Sequence, residues 1–153
     1  MAVKDEVIQL RKLSQRYAYT SIQMHETIGR NAGFSGTDHK YLGFLIQKGQ
    51  MTAGELSILT GLTTGAVTGL IDRFVKKKLV KRQFDKADRR KIIIVPNTDK
   101  IIALFEPFYK DFQKNSEKLI ASFSTEELKT LERYFVNALE IMNNKIATLN
   151  KKN

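Results

Sequence analysis

The sequence predicts a mainly α-helical fold with a small β-wing, and three observations lead there. Apolar residues recur at steps of three and four over most of the chain, which is the helical period. Thr52 and Glu55 form a capping box that opens two short helices on either side of Gly61, the arrangement of a helix-turn-helix. Two strand-like segments, residues 79–84 and 91–95, then flank a charged tip at residues 85–90. Together they predict one domain of 153 residues. A winged helix-turn-helix, 34–96, is flanked in it by N-terminal (1–33) and C-terminal (97–153) helices that serve dimerisation.

Val3, Val7, Leu10, Ser14, Tyr17, Ser21, Met24 and Ile28 make a heptad-like seam on a helix over 4–30. Such a helix is about 40 Å long, more than a small domain needs for its own core. It either faces a partner or is an ordinary core helix. Gly33 suits the left-handed stop after it. Ser35, Thr37 and Asp38 offer N-caps for a helix over 38–48, whose apolar face is Tyr41, Leu42, Phe44, Leu45 and Ile46. Behind the Thr52 cap, with Met51 as its hydrophobic neighbour, a helix over 53–60 packs through Leu56 and Leu59. Thr63 or Thr64 caps a helix over 64–78 that buries Val67, Leu70, Ile71 and Phe74.

The two strand segments are apolar enough to pair against this unit, and the tip between them is too charged to be buried. Thr98 caps a long helix bearing Ile101, Ile102, Phe105, Phe108, Phe112, Leu119 and Phe123. Pro107 predicts a kink or a break within it. Ser124 and Glu127 form a second capping box, and the last helix carries Leu128, Leu131, Phe135, Ala138, Met142 and Leu149. A polar tail at 150–153 is expected to fray. One winged helix cannot bury the seams of the first helix and the last two. A second copy related by a twofold axis can.

The formal net charge is +10, and it is focused. Residues 63–91 hold ten Lys/Arg and three Asp, a net +7, leaving +3 for the other 124 residues. That is the footprint of a docking surface for a polyanion. No apolar run approaches the roughly 18 residues of a membrane span. The N-terminus lacks a signal-peptide core, and cysteine is absent, so a cytoplasmic protein without disulfides or thiolate metal sites is expected. No phosphate-binding glycine loop, nucleophile elbow or metal-spaced ligand set is present, which argues against an enzyme and against any cofactor. His25 and His39 are the only histidines. They are either satisfied or exposed, or else share a metal with Glu26 or Asp38; the first reading leaves no metal site.

An α-helix fits the major groove of double-stranded DNA. On the 64–78 helix, Thr64, Gly65, Thr68, Gly69 and Asp72 lie opposite the buried face, with Arg73 beside them. Small residues let a backbone approach base edges. Each glycine costs the helix about 1 kcal/mol relative to alanine, which favours close approach by DNA or by another helix. Arg73, Lys76, Lys77, Lys78, Lys81 and Arg82 are placed to meet phosphates. Arg89 and Arg90 can enter a narrow minor groove, with Asp88 orienting one of them through a bidentate pair. The alternative for the tip is a solvated hairpin.

These residues resemble the MarR family of bacterial transcriptional regulators. The resemblance rests on the Asp72-Arg73 pair, the Leu79-Val80-x-Arg82 turn and the Asp85-x-x-Asp88-Arg89-Arg90 tip, and it extends over nearly the whole chain. It implies an obligate homodimer on a pseudo-palindromic operator, probing two major grooves, with the wing arginine in the minor groove. On this chain the implied recognition residues are Thr63, Thr64, Gly65, Thr68 and Arg73. The implied wing and phosphate contacts are Lys76, Lys77, Lys81, Arg82, Lys86, Asp88, Arg89 and Arg90. Two positions depart from the family pattern: Lys78 replaces the usual glycine before the wing, and residues 96–100 lack the one after it. Many members are released by a small anionic or aromatic effector. Tyr17, His25, Tyr41, Phe44, Phe105, Phe108 and Tyr109 are the candidates to line its pocket, the alternative being that they are core. A competing function is a winged-helix interaction protein that docks an acidic protein or a membrane surface through the same basic face.

Overall fold

Hydrogen bonds at the helix ends set the element boundaries. The computed structural model describes residues 2–35 and 37–151. The order is α1 (Ala2–Asn31), α2 (Asp38–Lys48), β1 (Met51–Thr52), α3 (Ala53–Thr60), α4 (Thr64–Lys76), β2 (Val80–Phe84), β3 (Ile92–Pro96), α5 (Thr98–Ala121) and α6 (Thr125–Asn150). Both capping boxes form, at Thr52 with Glu55 and at Ser124 with Glu127. Each satisfies two backbone N–H groups that a helix start would otherwise leave without partners. Lys152 and Asn153 of the expected tail lie outside the described residues.

The chain divides into two units, Met1–Pro107 and Phe108–Asn153. In the first, Leu42, Leu45, Leu56, Val67, Leu70, Ile71, Phe74, Leu79 and Ile94 are the most deeply buried side chains. They come from α2, α3, α4, the turn after α4 and the middle strand, so the helix-turn-helix and the base of the wing share one core. The sheet order is β1-β3-β2, all antiparallel. The strand β1 was not expected: Met51 and Thr52 pair with Ile94 and Ile93. Met51 therefore covers the core from a sheet as well as preceding the α3 cap.

Four local expectations are corrected. Leu59 is exposed, because the inward row of α3 runs from Leu56 to the half-buried Thr60. Thr37 occupies the α2 cap position, but no side chain caps it. Asn97, not Thr98, caps α5, its Oδ1 accepting from the Lys100 N–H at 3.2 Å. The helix α4 stops at Lys76, two residues early. There Leu79 N–H donates to Phe74 O and Lys78 N–H to Val75 O, each at 2.9 Å, with Lys78 at φ 59°. This is a Schellman turn with lysine in the left-handed position that glycine ordinarily takes.

In the second unit, α6 has no buried residue, and Phe135, Leu139, Met142, Ile146 and Leu149 are exposed along it. In the first, Val3, Val7, Leu10 and Tyr17 of α1 are exposed likewise. The helix α5 continues through Pro107 without a break, and the division between units falls at that residue.

Candidate nucleic-acid interface

The Thr63 side chain starts α4 by accepting from the Ala66 N–H at 3.2 Å. Its oxygen accepts this one cap bond and, at an exposed position, keeps its O–H and a further lone pair. One turn on, the Thr68 hydroxyl donates back to Thr64 O at 3.0 Å and keeps lone pairs for an incoming donor. Val67, Leu70, Ile71 and Phe74 anchor the opposite face in the core. The outer face is therefore held rigidly with Thr64, Gly65 and Thr68 exposed.

Gly65 separates the two explanations of the glycines. A Cβ added there would meet nothing within 4 Å, so no helix of the described chain packs on it. A Cβ at Gly69 would meet only the Arg73 Nη1, at 3.5 Å, an ordinary contact. Internal helix packing therefore explains neither glycine.

The cations fall into two groups. Lys76, Lys78, Lys81, Lys86, Arg89 and Arg90 are exposed, as a phosphate-facing surface requires. Arg73, Lys77 and Arg82 are exposed as well but bond to the protein itself. Arg73 donates Nε and Nη2 to the two Asp38 oxygens at 2.7 and 3.0 Å. That hydrogen bond and the accompanying charge raise the Arg73 pKa above its ordinary value, against an opposing effect of burial. Lys77 donates Nζ to Gly33 O at 3.2 Å and lies 4.9 Å from the Phe34 ring centroid. Arg82 pairs with Asp72, tying β2 to α4. Asp38 was legible only as a cap or a metal ligand, and nothing local in the sequence signals a partner 35 positions away.

At the tip, Asp85 Oδ1 accepts from the Ala87 N–H at 2.7 Å and closes the turn. Asp88 uses one oxygen for both the Arg90 N–H at 3.0 Å and the Arg90 Nε at 3.4 Å. The expected bidentate fork is absent. The Asp88 oxygen is already taken by the Arg90 N–H, and the side-chain contact is single and long. The Arg90 side chain is 94% exposed and can reach outward.

The seven effector candidates do not share one surface in the first unit. Tyr41 is a core residue, with Phe44 (centroids 6.3 Å apart) and Phe105 packed against that core. Phe105 stacks on Phe34 at 5.6 Å. Tyr17 is exposed and His25 half-buried. Phe108 and Tyr109 belong to the second unit, where burial raises the Tyr109 phenol. A cleft of about 640 Å³ lies elsewhere, between Val75, Lys78 and Lys81 on one side and Val95 to Asp99 on the other. His39 is buried between α2 and α1, its Nδ1 without a hydrogen bond. Burial, then His25, holds its pKa below the ordinary 6.5. Among the described residues no cluster of three or more His, Asp or Glu forms, and no helix is long and apolar enough to cross a membrane.

The profile of the MarR family matches residues 32–91. YcgE, an uncharacterized HTH-type transcriptional regulator of Bacillus subtilis, is 35% identical over 149 residues, covering 95% of this chain and 92% of its own. A MarR family protein from Bacillus stearothermophilus superposes with a TM-score of 0.71 at 26% identity, over 92% of this chain and 97% of that one. A mutant of MepR from S. aureus, solved bound to an oligodeoxyribonucleotide, shares the fold with a TM-score of 0.56 at 21% identity, over 87% and 97% of the two chains.

Proposed function

The chain belongs to the MarR family of transcriptional regulators, with a DNA-binding winged helix, and from that premise we propose that it represses transcription in the cytoplasm as a homodimer on a pseudo-palindromic operator. The observation that carries the reading is Gly65. It is exposed on a rigid helix, with nothing of the chain against it. A glycine that weakens its own helix and packs on nothing internal fits close approach to a base edge. The MepR neighbour, bound to an oligodeoxyribonucleotide, supports the same use of this fold. Around Gly65, Thr64 and Thr68 read bases, Lys76, Lys81 and Lys86 meet phosphates, and Arg89 and Arg90 probe the minor groove.

The dimer is supported by the apolar seams of α1 and α6. A fully buried Leu, Ile or Phe contributes about 1.5–3 kcal/mol. Five half-exposed side chains on α6 from each of two copies would contribute on the order of 10 kcal/mol, comparable to the cost of association. Release by a small aromatic or anionic effector completes the proposal. Of its candidate residues, Tyr17, His25, Tyr41, Phe44 and Phe105 belong to the first unit, and Phe108 and Tyr109 to the second.

Fluorescence anisotropy on duplexes from upstream of the protein's own gene tests the reading. The expected result is tight binding to one duplex that falls steeply with salt as phosphate contacts release counterions. Arg90→Ala should weaken it about tenfold while the protein stays folded. Equal affinity for every duplex at physiological salt would instead favour docking of an acidic protein or a membrane surface.

A further inference from the structure

Two exposed cations at the end of α4, Arg73 in its last turn and Lys77 at its C-cap, bond back to the protein and hold the segment that joins α1 to α2. Arg73 forks onto Asp38, the first residue of α2. Lys77 bonds Gly33 O and sits over Phe34. Phe34 is itself buried, edge-on to Phe74 of α4 at 6.4 Å and stacked on Phe105 of α5 at 5.6 Å. The Asp38 side chain is only 14% exposed, and that of Arg73 is 52% exposed. The planar guanidinium fork is the geometry that fixes an angle as well as a distance. Arg73 also lies back along α4 over Gly69, where an added Cβ would make only an ordinary contact with Nη1, at 3.5 Å.

We propose that Arg73, Lys77 and Asp38 are positioning residues that set the angle of the recognition helix by clamping it to the junction between α1 and α2. This rests on the reading of α4 as the DNA-reading helix. Its consequence separates Arg73 and Lys77 from Lys76, Lys81 and Lys86: the first two act on DNA through α4, not through phosphates. It also makes an acidic residue favourable to binding a polyanion, which simple charge attraction does not predict.

The test measures duplex affinity against salt for the full chain and three variants. Asp38→Asn removes a negative charge beside the interface. The clamp predicts affinity about three- to tenfold weaker, whereas attraction to phosphate predicts equal or tighter binding. Arg73→Ala should weaken binding similarly with the salt slope unchanged; a phosphate contact would lower that slope by about 0.9. Exchanging the charges, Asp38→Arg with Arg73→Asp, should restore affinity, which a mere loss of folding would not allow. Circular dichroism confirms that each variant is folded at the assay temperature. Tighter binding by Asp38→Asn, a reduced slope for Arg73→Ala, or no rescue by the exchange overturns the clamp. Absence of sequence preference in the unaltered protein overturns the DNA reading, and the clamp with it.

Discussion

Replacing Gly65 by alanine is expected to separate stability from function. Gly65 is the second residue of α4, and an added methyl meets no atom within 4 Å beyond its chain neighbours and its own helix backbone. The folded state therefore gains no clash, and the unfolded chain loses backbone freedom. Glycine to alanine at an unstrained helical position stabilises by about 0.5–1 kcal/mol. For a chain of this length that raises Tm by about 1–4 °C. If α4 lies in the major groove, the same methyl fills the gap between backbone and base edge. Losing one good base contact costs about 1–3 kcal/mol, or roughly tenfold in affinity per half-site. Thermal melting followed by circular dichroism and anisotropy on the preferred duplex read the two effects separately. A variant that melts higher and binds DNA as tightly as the parent would refute the argument that Gly65 makes room for DNA.

Other substitutions probe the scaffold. A Cβ at Gly29 would lie 2.5 Å from the His39 ring, so Gly29→Ala should destabilise by about 1–2 kcal/mol, an overpacking cost partly offset by helix propensity; a raised urea midpoint would contradict the close packing of α1 on His39. Lys78→Gly should stabilise by about 1 kcal/mol, because it relieves a left-handed lysine, and calorimetry would show Tm rising. The folded-state pKa of His39 lies below 6.5, so the unfolded chain takes up the proton first, and stability falls as pH drops from 6.5 toward the folded value. In His39→Gln the loss of Tm between pH 7.5 and 5.5 should be smaller; an identical loss would show that His39 does not govern that window.

Much of the scaffold was legible because its signals are local. A capping box needs residues three apart, and those of Thr52 and Ser124 both form. The buried stripe Val67, Leu70, Ile71 and Phe74 follows from helical spacing alone, and all four are buried. Long-range pairing was not legible. Two residues are too few to show an alternation, so β1 is defined only by the pairing of Met51 with Ile94 and Thr52 with Ile93. Asp38 reads as a helix-start residue, and only the fold brings Arg73 to it. Lys78 replaces the glycine expected before the wing, yet the turn is the same one, since the Schellman hydrogen bonds hold lysine in the left-handed region. For the candidate site, residue type identified the outer face of α4 and the basic tip. It could not say which cations bond inward, because lysine and arginine side chains are long enough to turn either way.

Footprinting on the DNA upstream of the protein's own gene, with protein-to-duplex stoichiometry from sedimentation, tests the central claim most directly. The account predicts two protomers on one duplex, protecting a pseudo-palindrome whose half-sites lie about one helical turn, roughly 10 base pairs, apart. A single protomer per duplex, or uniform protection without a symmetric site, would contradict it.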